Sequence, residues 1–427
     1  MTQYLDFVDL KYKPGKDDLI CLFYFEPAKG ISVKEAVGRV ASESSNGTWT
    51  SLSTLKEHIR KIRARAFEIK GNYVKIAYPI ELFEFGNVPQ LMSSVAGNIF
   101  GMKAIKNLKL LDIMFPKAYI KSFDGPGFGV HGVRKFMKIK DRPLTCTVPK
   151  PKVGMTTVEH AKVGMDAWLG GVDFLKDDEN LSDQKFNRFY KRAELCFKVR
   201  DMVEKKTGER KSYFINVTAE TKEMLKRAKF VADLNGEYVM IDFLTAGFAG
   251  FQSLRDFCHD NKIAIHVHRA MHAAFDRNPK HGVSMLVLAK LVRLIGGDNM
   301  HIGTAVGKLV GSREDVMLYR DSISNSKISG GKENLYQDWQ GLKDTIPVSS
   351  GGLHPGLVPN IIGLLGNDCV LQLGGGIHGH PNGTISGAMA FRQALDATLK
   401  GIDLGDYAVE HKELRDALRM WGYSRPV

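Results

Sequence analysis

The stretch VDFLKDDENLSDQKFNRFYKRAELCFKVRDMVEKKTGERKSYFINV (Val172–Val217) decides the fold. It opens on a short apolar run, Val172–Lys176, and turns through Asp177-Asp178-Glu179. A helix-length segment, Phe186–Lys205, follows, and the stretch closes on a second apolar run, Tyr213–Val217. Strand, polar turn, helix and strand in that order make one βα unit of a parallel sheet. The same alternation recurs in both directions along the chain. Further strands are expected at Leu144–Pro149, Tyr238–Phe243, Ile263–His268, Asn299–Gly303, Ile346–Ser350 and Cys369–Leu373. Helices are expected at Glu220–Leu234, Ser284–Leu294 and Gly387–Leu399. In the first of these Met224, Ala228 and Val231 recur at helical spacing. Eight strands alternating with helices predict a closed (β/α)8 TIM barrel rather than an open sheet.

The first 125 residues do not alternate strictly. Strands at Leu19–Phe25, Ala66–Ile69 and Tyr73–Ala77, with helices at Val33–Ser44 and Pro89–Ile99, predict a smaller α+β (ferredoxin-like) domain. The turn-forming run Asp124-Gly125-Pro126-Gly127 marks the linker. The expected domains are therefore 1–125 and 126–427. A polar helical tail, Tyr407–Trp421, is expected on the barrel exterior.

Composition excludes several classes. Of 427 residues, 44% are apolar and 25% charged, which suits a globular protein and not a disordered one. No apolar run approaches the ~20 residues of a membrane span, and no signal core opens the chain. Five scattered cysteines without a C-x-x-C argue against a disulfide framework or zinc ribbon and fit a reducing cytoplasm. The net charge of +13 is partly local, since ten basic residues face three aspartates between Gly101 and Pro143. That stretch is either a polyanion-binding patch or a solvated surface.

A barrel places its chemistry at the C-terminal ends of its strands. The first strand ends in Lys150-Pro151-Lys152, where a lysine beside another cation can exchange its proton near neutrality, unless this is an ordinary surface turn. After the second strand, Lys176 and Asp178 share a face, with Glu179 on the next turn. Two carboxylates offer a hard-oxygen site for magnesium but leave most of its coordination open. A carbamate formed on Lys176 by carbon dioxide supplies a third anionic oxygen. A solvated acidic turn is the plain alternative.

The fifth strand carries His266-Val267-His268-Arg269, which suits a metal or an imidazole base beside a phosphate-binding arginine. The sixth strand ends at His301, and the loop Gly303–Lys308 reads as a hinged lid carrying a cation, or as a flexible surface loop. Ser349-Ser350-Gly351-Gly352 and Gln372-Leu373-Gly374-Gly375-Gly376 end the seventh and eighth strands. Glycine turns there commonly cradle phosphate. The assembled expectation is a bisphosphate stretched across a barrel mouth.

GGVDFLKDDEN (Gly170–Asn180), HRAMHA (His268–Ala273), HIGTAVGKL (His301–Leu309), SSGG and LQLGGG resemble the large subunit of ribulose-bisphosphate carboxylase/oxygenase, RuBisCO. ESSNGTWT (Glu43–Thr50) and GNIFG (Gly97–Gly101) resemble its N-terminal active-site segments. The run Val-Pro-Lys-Pro-Lys-Val-Gly at 148–154 and the short chain look most like the archaeal form III enzymes.

The resemblance implies Lys176 as the carbamylated lysine, with Asp178 and Glu179 as the other magnesium ligands. It implies Lys150, supported by Lys152, as the acid that protonates the product carbanion. His268 and the carbamate would handle the enolisation protons. Lys308, oriented by Glu43, would stabilise the new carboxylate. Arg269, His301 and Ser350 would hold one phosphate. Gly351, Gly352, Gly374 and Gly375, with Thr48 and Trp49, would hold the other, and Gln372 is a further substrate contact. Asn98 would contact the metal-bound oxygens. The family draws Glu43, Thr48, Trp49 and Asn98 from a neighbouring subunit, so a homodimer is the minimum unit.

The implied substrates are ribulose 1,5-bisphosphate, carbon dioxide and oxygen, with no small subunit, nucleic acid or membrane partner. The implied setting is cytoplasmic nucleoside or AMP salvage. The chain departs from common family patterns at Val148, Ile302 and Ile377-His378. The rival readings are a RuBisCO-like enolase or isomerase of sulfur salvage, a metal hydrolase using His266 and His268, and a basic nucleic-acid-binding protein. The presence of Glu43, Asn98, Lys150, His301 and Lys308 favours the carboxylase.

Overall fold

A computed structural model describes residues 4–306 and 312–423. The chain packs as two units. One comprises residues 1–125 with 271–295 and 325–342; the other comprises 126–270, 296–324 and 343–427. Two segments from within the 126–427 stretch thus pack with the N-terminal unit.

The first unit follows a βαββαβ order: Leu19–Pro27, Val33–Glu43, Arg65–Lys70, Tyr73–Tyr78, Val88–Val95 and Ile105–Met114. Its long strands pair antiparallel in the spatial order Ile105–Met114, Leu19–Pro27, Tyr73–Tyr78, Arg65–Lys70, the split βαβ arrangement. The short strand Gly282–Val283 adds to the outer edge in parallel. Local chemistry sets the helix starts. Ser32 accepts from the Glu35 amide, and Asn87 accepts from the Gln90 amide ahead of a helix with proline in its first turn. Leu19, Cys21, Phe23 and Phe25 are buried on one sheet face, while Ile20 and Leu22 pack with Ala77, Leu111 and Leu335 on the other.

The second unit contains a closed, wholly parallel eight-stranded barrel. Its strands are Leu144–Thr147, Phe174–Lys176, Ser212–Asn216, Tyr238–Asp242, Ala264–His268, Asn299–His301, Ile346–Ser350 and Val370–Leu373. Burial on both faces explains why these strands read as continuous apolar runs. The interior packs Cys146, Phe174, Phe214, Met240, Val348 and Val370 together. Val133 and Met137 of the helix Gly129–Met137 join them below the strand starts. Asp298 ties that helix in place, its carboxylate accepting from the amides of Phe128 (2.6 Å), Gly129 (3.2 Å) and Ile265 (2.9 Å).

The expected tail helix 407–421 is instead two, Leu404–Tyr407 and Lys412–Trp421, broken where the His411 imidazole hydrogen-bonds the Tyr407 carbonyl. The second of these packs on the helix Gly383–Lys400, and its last residue, Trp421, lines the barrel mouth. No helix among the described residues is long and apolar enough to cross a membrane.

Candidate active site

The strand ends of the second unit converge on a cleft of about 650 Å3 lined by Lys150, Lys152, Asp178, Glu179, His268, Ser350, Gln372 and the two glycine turns. The pleat sorts the acidic run after strand two. Lys176 and Asp178 face the mouth while Asp177, between them, points behind. There Asp177 is fully buried and accepts from the Tyr213 hydroxyl, the Asn216 amide (3.0 Å) and the Arg192 guanidinium (3.2 and 3.1 Å). Burial alone would raise this carboxyl, but Arg192 and His160 outweigh it and hold it at about 2. Asp177 thereby fixes the backbone from which its neighbours project.

Lys176 is fully buried, donates to the Asp177 carbonyl at 2.8 Å and lies 3.8 Å from Glu179 Oε2. Asp178 accepts from Lys150 Nζ at 3.2 Å and from the Asn180 side-chain amide at 3.0 Å. Glu179 is 3.5 Å from His268 Nε2. Burial would raise its carboxyl, yet His268, Lys176 and Lys150 together draw it down to about 2. Glu179 is thus an anion at any physiological pH.

His268 is braced from the fourth strand, with Nδ1 2.9 Å from Asp242 Oδ1. His266 lies deeper, stacked on Phe214, with Nδ1 2.9 Å from Asn299 Oδ1 and Nε2 3.0 Å from His301 Nε2. His301 Nδ1 in turn meets Ser350 Oγ at 2.7 Å. Burial pushes both His266 and His301 well below the ordinary imidazole range, so the pair is neutral. Both ring nitrogens of His266 are engaged inside the wall, which removes it from any metal. Arg269 is buried. Gly303 makes room for it: at φ +85°, a Cβ there would stand 2.6 Å from Arg269 Nη2.

No group of three or more His, Cys, Asp or Glu side chains able to hold a metal occurs among the described residues. The donor set is two carboxylates, Asp178 and Glu179, beside a buried lysine. A hard dication there requires another anionic oxygen, which is what a carbamate on Lys176 adds. The residues therefore fit magnesium with a carbamylated lysine and do not fit a zinc or iron centre.

Glycine shapes the turns after the seventh and eighth strands. Gly351 and Gly352 have φ of +115° and +71°. A Cβ on Gly374 would come 3.1 Å from Lys150 Cε, so that glycine leaves room for the lysine stem.

In the first unit, Glu43 ends its helix and Asn98 begins a short 3-10 turn, bringing Asn98 Nδ2 within 3.4 Å of Glu43 Oε1. Trp49 is 82% exposed. Lys308 falls outside the described residues. Sequence reasoning missed Asp242, His354 and Trp421, and it named Asp177, Val148 and His378 without giving them a place in the site. Asp177 stands inside the acidic run, and Val148 and His378 depart from the family's common pattern; the first three meet the site through tertiary packing.

A parallel barrel whose mouth joins paired carboxylates, a buried lysine and two glycine turns is the arrangement of an enzyme that works at its strand ends. Residues 129–421 match the family model described as ribulose bisphosphate carboxylase large chain, catalytic domain, and residues 6–119 match the corresponding N-terminal domain. The chain belongs to the RuBisCO large-chain family. It is 51% identical over 427 residues to ribulose bisphosphate carboxylase of Pyrococcus abyssi, covering 99% of this chain and 98% of the relative. It is 49% identical to that of Methanosarcina mazei, covering 97% and 99%.

Among solved structures, the dimeric archaeal Rubisco from Hyperthermus butylicus superposes with a TM-score of 0.94 at 48% identity, covering 98% of this chain and 99% of that one. The octameric enzyme from Pyrococcus horikoshii superposes at 0.92 and 50% identity, covering 99% and 98%.

Proposed function

We propose that this protein is a ribulose-1,5-bisphosphate carboxylase/oxygenase, joining carbon dioxide and water to the sugar bisphosphate to give two 3-phosphoglycerates. The observation that carries this reading is the meeting of Lys150, Asp178, Glu179 and His268 in one cleft, in a chain about half identical to named carboxylases along its whole length.

Lys176 as its carbamate, Asp178 and Glu179 would hold magnesium, which supplies Lewis-acid polarisation of the substrate carbonyl and neighbouring hydroxyl. His268, braced by Asp242, would move a proton at Nε2. Lys150 Nζ would return a proton to the product carbanion, with Lys152 adding positive field. Arg269 would bind one phosphate, with His301 and Ser350 forming a hydrogen-bonded wall beside it. Amides of Gly351, Gly352, Gly374 and Gly375, with Gln372 and the partner subunit's Thr48 and Trp49, would bind the other. Lys308 would offset the charge of the new carboxylate, oriented by the partner subunit's Glu43, and the partner subunit's Asn98 would complete the site.

The chain would then act as a homodimer or an assembly of dimers without a small subunit, in the cytoplasm. Oxygen would be a competing substrate, and nucleoside or AMP salvage the setting that its archaeal relatives suggest. The test is anaerobic fixation of labelled carbon dioxide after preincubation with magnesium and bicarbonate. Fixation is expected in the wild type and not in Lys176→Ala or Lys308→Ala. Wild-type protein that exchanges a substrate proton without fixing carbon would be an isomerase instead.

A further inference from the structure

The residue after Ile377 is a histidine that the reaction above does not use. His378 Nε2 lies 2.9 Å from Thr147 Oγ1, and its Nδ1 lies 3.1 Å from Thr384 Oγ1. The direction of each bond is fixed by one carbonyl. Thr147 Oγ1 is 2.7 Å from the Leu373 carbonyl oxygen, which can only accept, so the Thr147 proton is committed there. Thr147 Oγ1 must then accept from His378 Nε2–H. Nδ1 is left bare and accepts from the Thr384 hydroxyl. A single neutral tautomer satisfies the whole chain.

The elements joined are those around Lys150. Thr147 ends the first barrel strand three residues before Lys150, Leu373 ends the eighth, and Thr384 opens the helix Gly383–Lys400. Gly374, next along from Leu373, packs against the Lys150 stem. His378 is held well down, at about 4, by burial and then by the Lys150 charge, which agrees with a neutral imidazole close to that ammonium. Among the described residues Lys150 makes one side-chain hydrogen bond, at 3.2 Å to Asp178, so its position depends on where the strand end is held.

We propose that His378 is a positioning residue for Lys150, tying the end of the first strand to the eighth strand and the helix after it. This rests on Lys150 being the acid of the reaction. Reacting groups misplaced by about 1 Å can cost up to a hundredfold in rate without touching the substrate.

The experiment compares His378→Leu with His378→Gln, whose side-chain amide restores the donor at the Nε2 position. Both are assayed for carbon dioxide fixation at saturating magnesium and bicarbonate, with melting temperature measured alongside. His378→Leu should lose tenfold or more in kcat with KM for ribulose bisphosphate unchanged within twofold, and His378→Gln should recover most of it. If His378→Leu fails to fold, Thr384→Val removes the donor to Nδ1 from a half-buried site and should lower kcat two- to fivefold, again without changing KM. Full kcat in the Leu variant, or equal loss in Leu and Gln, overturns the inference. Lys150→Met separates the two readings. If it fixes carbon normally, the role of Lys150 falls and this inference with it. If it is inactive while His378→Leu is unimpaired, only the inference falls.

Discussion

Replacing Arg192 by methionine tests what holds the acidic run in place. The guanidinium is fully buried and gives Asp177 two hydrogen bonds, at 3.2 and 3.1 Å. It also donates to the Asn187 carbonyl at 2.9 Å and the Ser182 carbonyl at 2.8 Å. Methionine fills similar space but leaves the Asp177 carboxylate buried without its cation. Breaking a buried pair from one side costs about 3–5 kcal/mol. The depression of Asp177 from 3.8 to about 2 gives a smaller figure of the same order, roughly 2 kcal/mol.

The sign in pH follows from that depression. An acid whose folded pKa lies below its unfolded value stabilises fully above the unfolded pKa and loses that stability as pH falls through the folded one. In the wild type the contribution should hold from pH 8 to about 4. In Arg192→Met the orphaned carboxyl titrates higher, so the deficit should be largest near neutrality and shrink on acidification. Urea unfolding followed by tryptophan fluorescence measures it. The added substitution Asp177→Asn, which removes the unpaired charge, should recover at least half of the loss. A double variant no more stable than Arg192→Met would refute the reasoning, because the penalty would then come from packing and not from the stranded carboxylate.

Three further outcomes follow from the geometry. His378, lowered from 6.5 to about 4, stays neutral in the fold while the unfolded chain takes up a proton. It should therefore cost about 1.4 kcal/mol per pH unit as pH falls from 6.5 toward 4, and the slope of stability against pH in that window should flatten in His378→Gln. Gly303→Ala should raise KM for ribulose bisphosphate by tenfold or more, since the methyl would meet Arg269 Nη2 at 2.6 Å and the backbone sits at φ +85°; an unchanged KM would show that Arg269 does not bind the substrate. Chelation should abolish carbon fixation and magnesium restore it, with Asp178→Asn needing at least tenfold more magnesium than wild type; equal magnesium dependence would remove Asp178 from the ligand set.

The barrel was legible because its strands are buried on both faces, so each appears as an apolar run between polar turns, and the closed parallel sheet follows that alternation strand by strand. The ten-residue strand Ile105–Met114 was not. Lys106, Asn107 and Lys109 interrupt its apolar run, and Lys109 is nonetheless buried, its ammonium bonded to the carbonyls of Asp276 and Asn278 at 2.8 and 2.6 Å. Those partners lie more than 160 residues away, so no local window could count the lysine as core.

The same division runs through the site. Lys176, Asp178 and Glu179 were readable because their geometry is set by one strand and its turn, where the period of two decides which side chains share a face. Asp242 and Trp421 come from other elements, and each approaches the mouth only once the barrel closes. His378 joins both kinds: its sequence position is set by the glycine turn that precedes it, but its role depends on Thr147, 231 residues away. Local pattern thus exposes the groups proposed to do the chemistry, while the groups proposed to aim them are distributed over the strands the fold brings together. A substitution at such an aiming residue should alter rate before it alters binding, and this is the behaviour by which the two kinds can be told apart in this cleft.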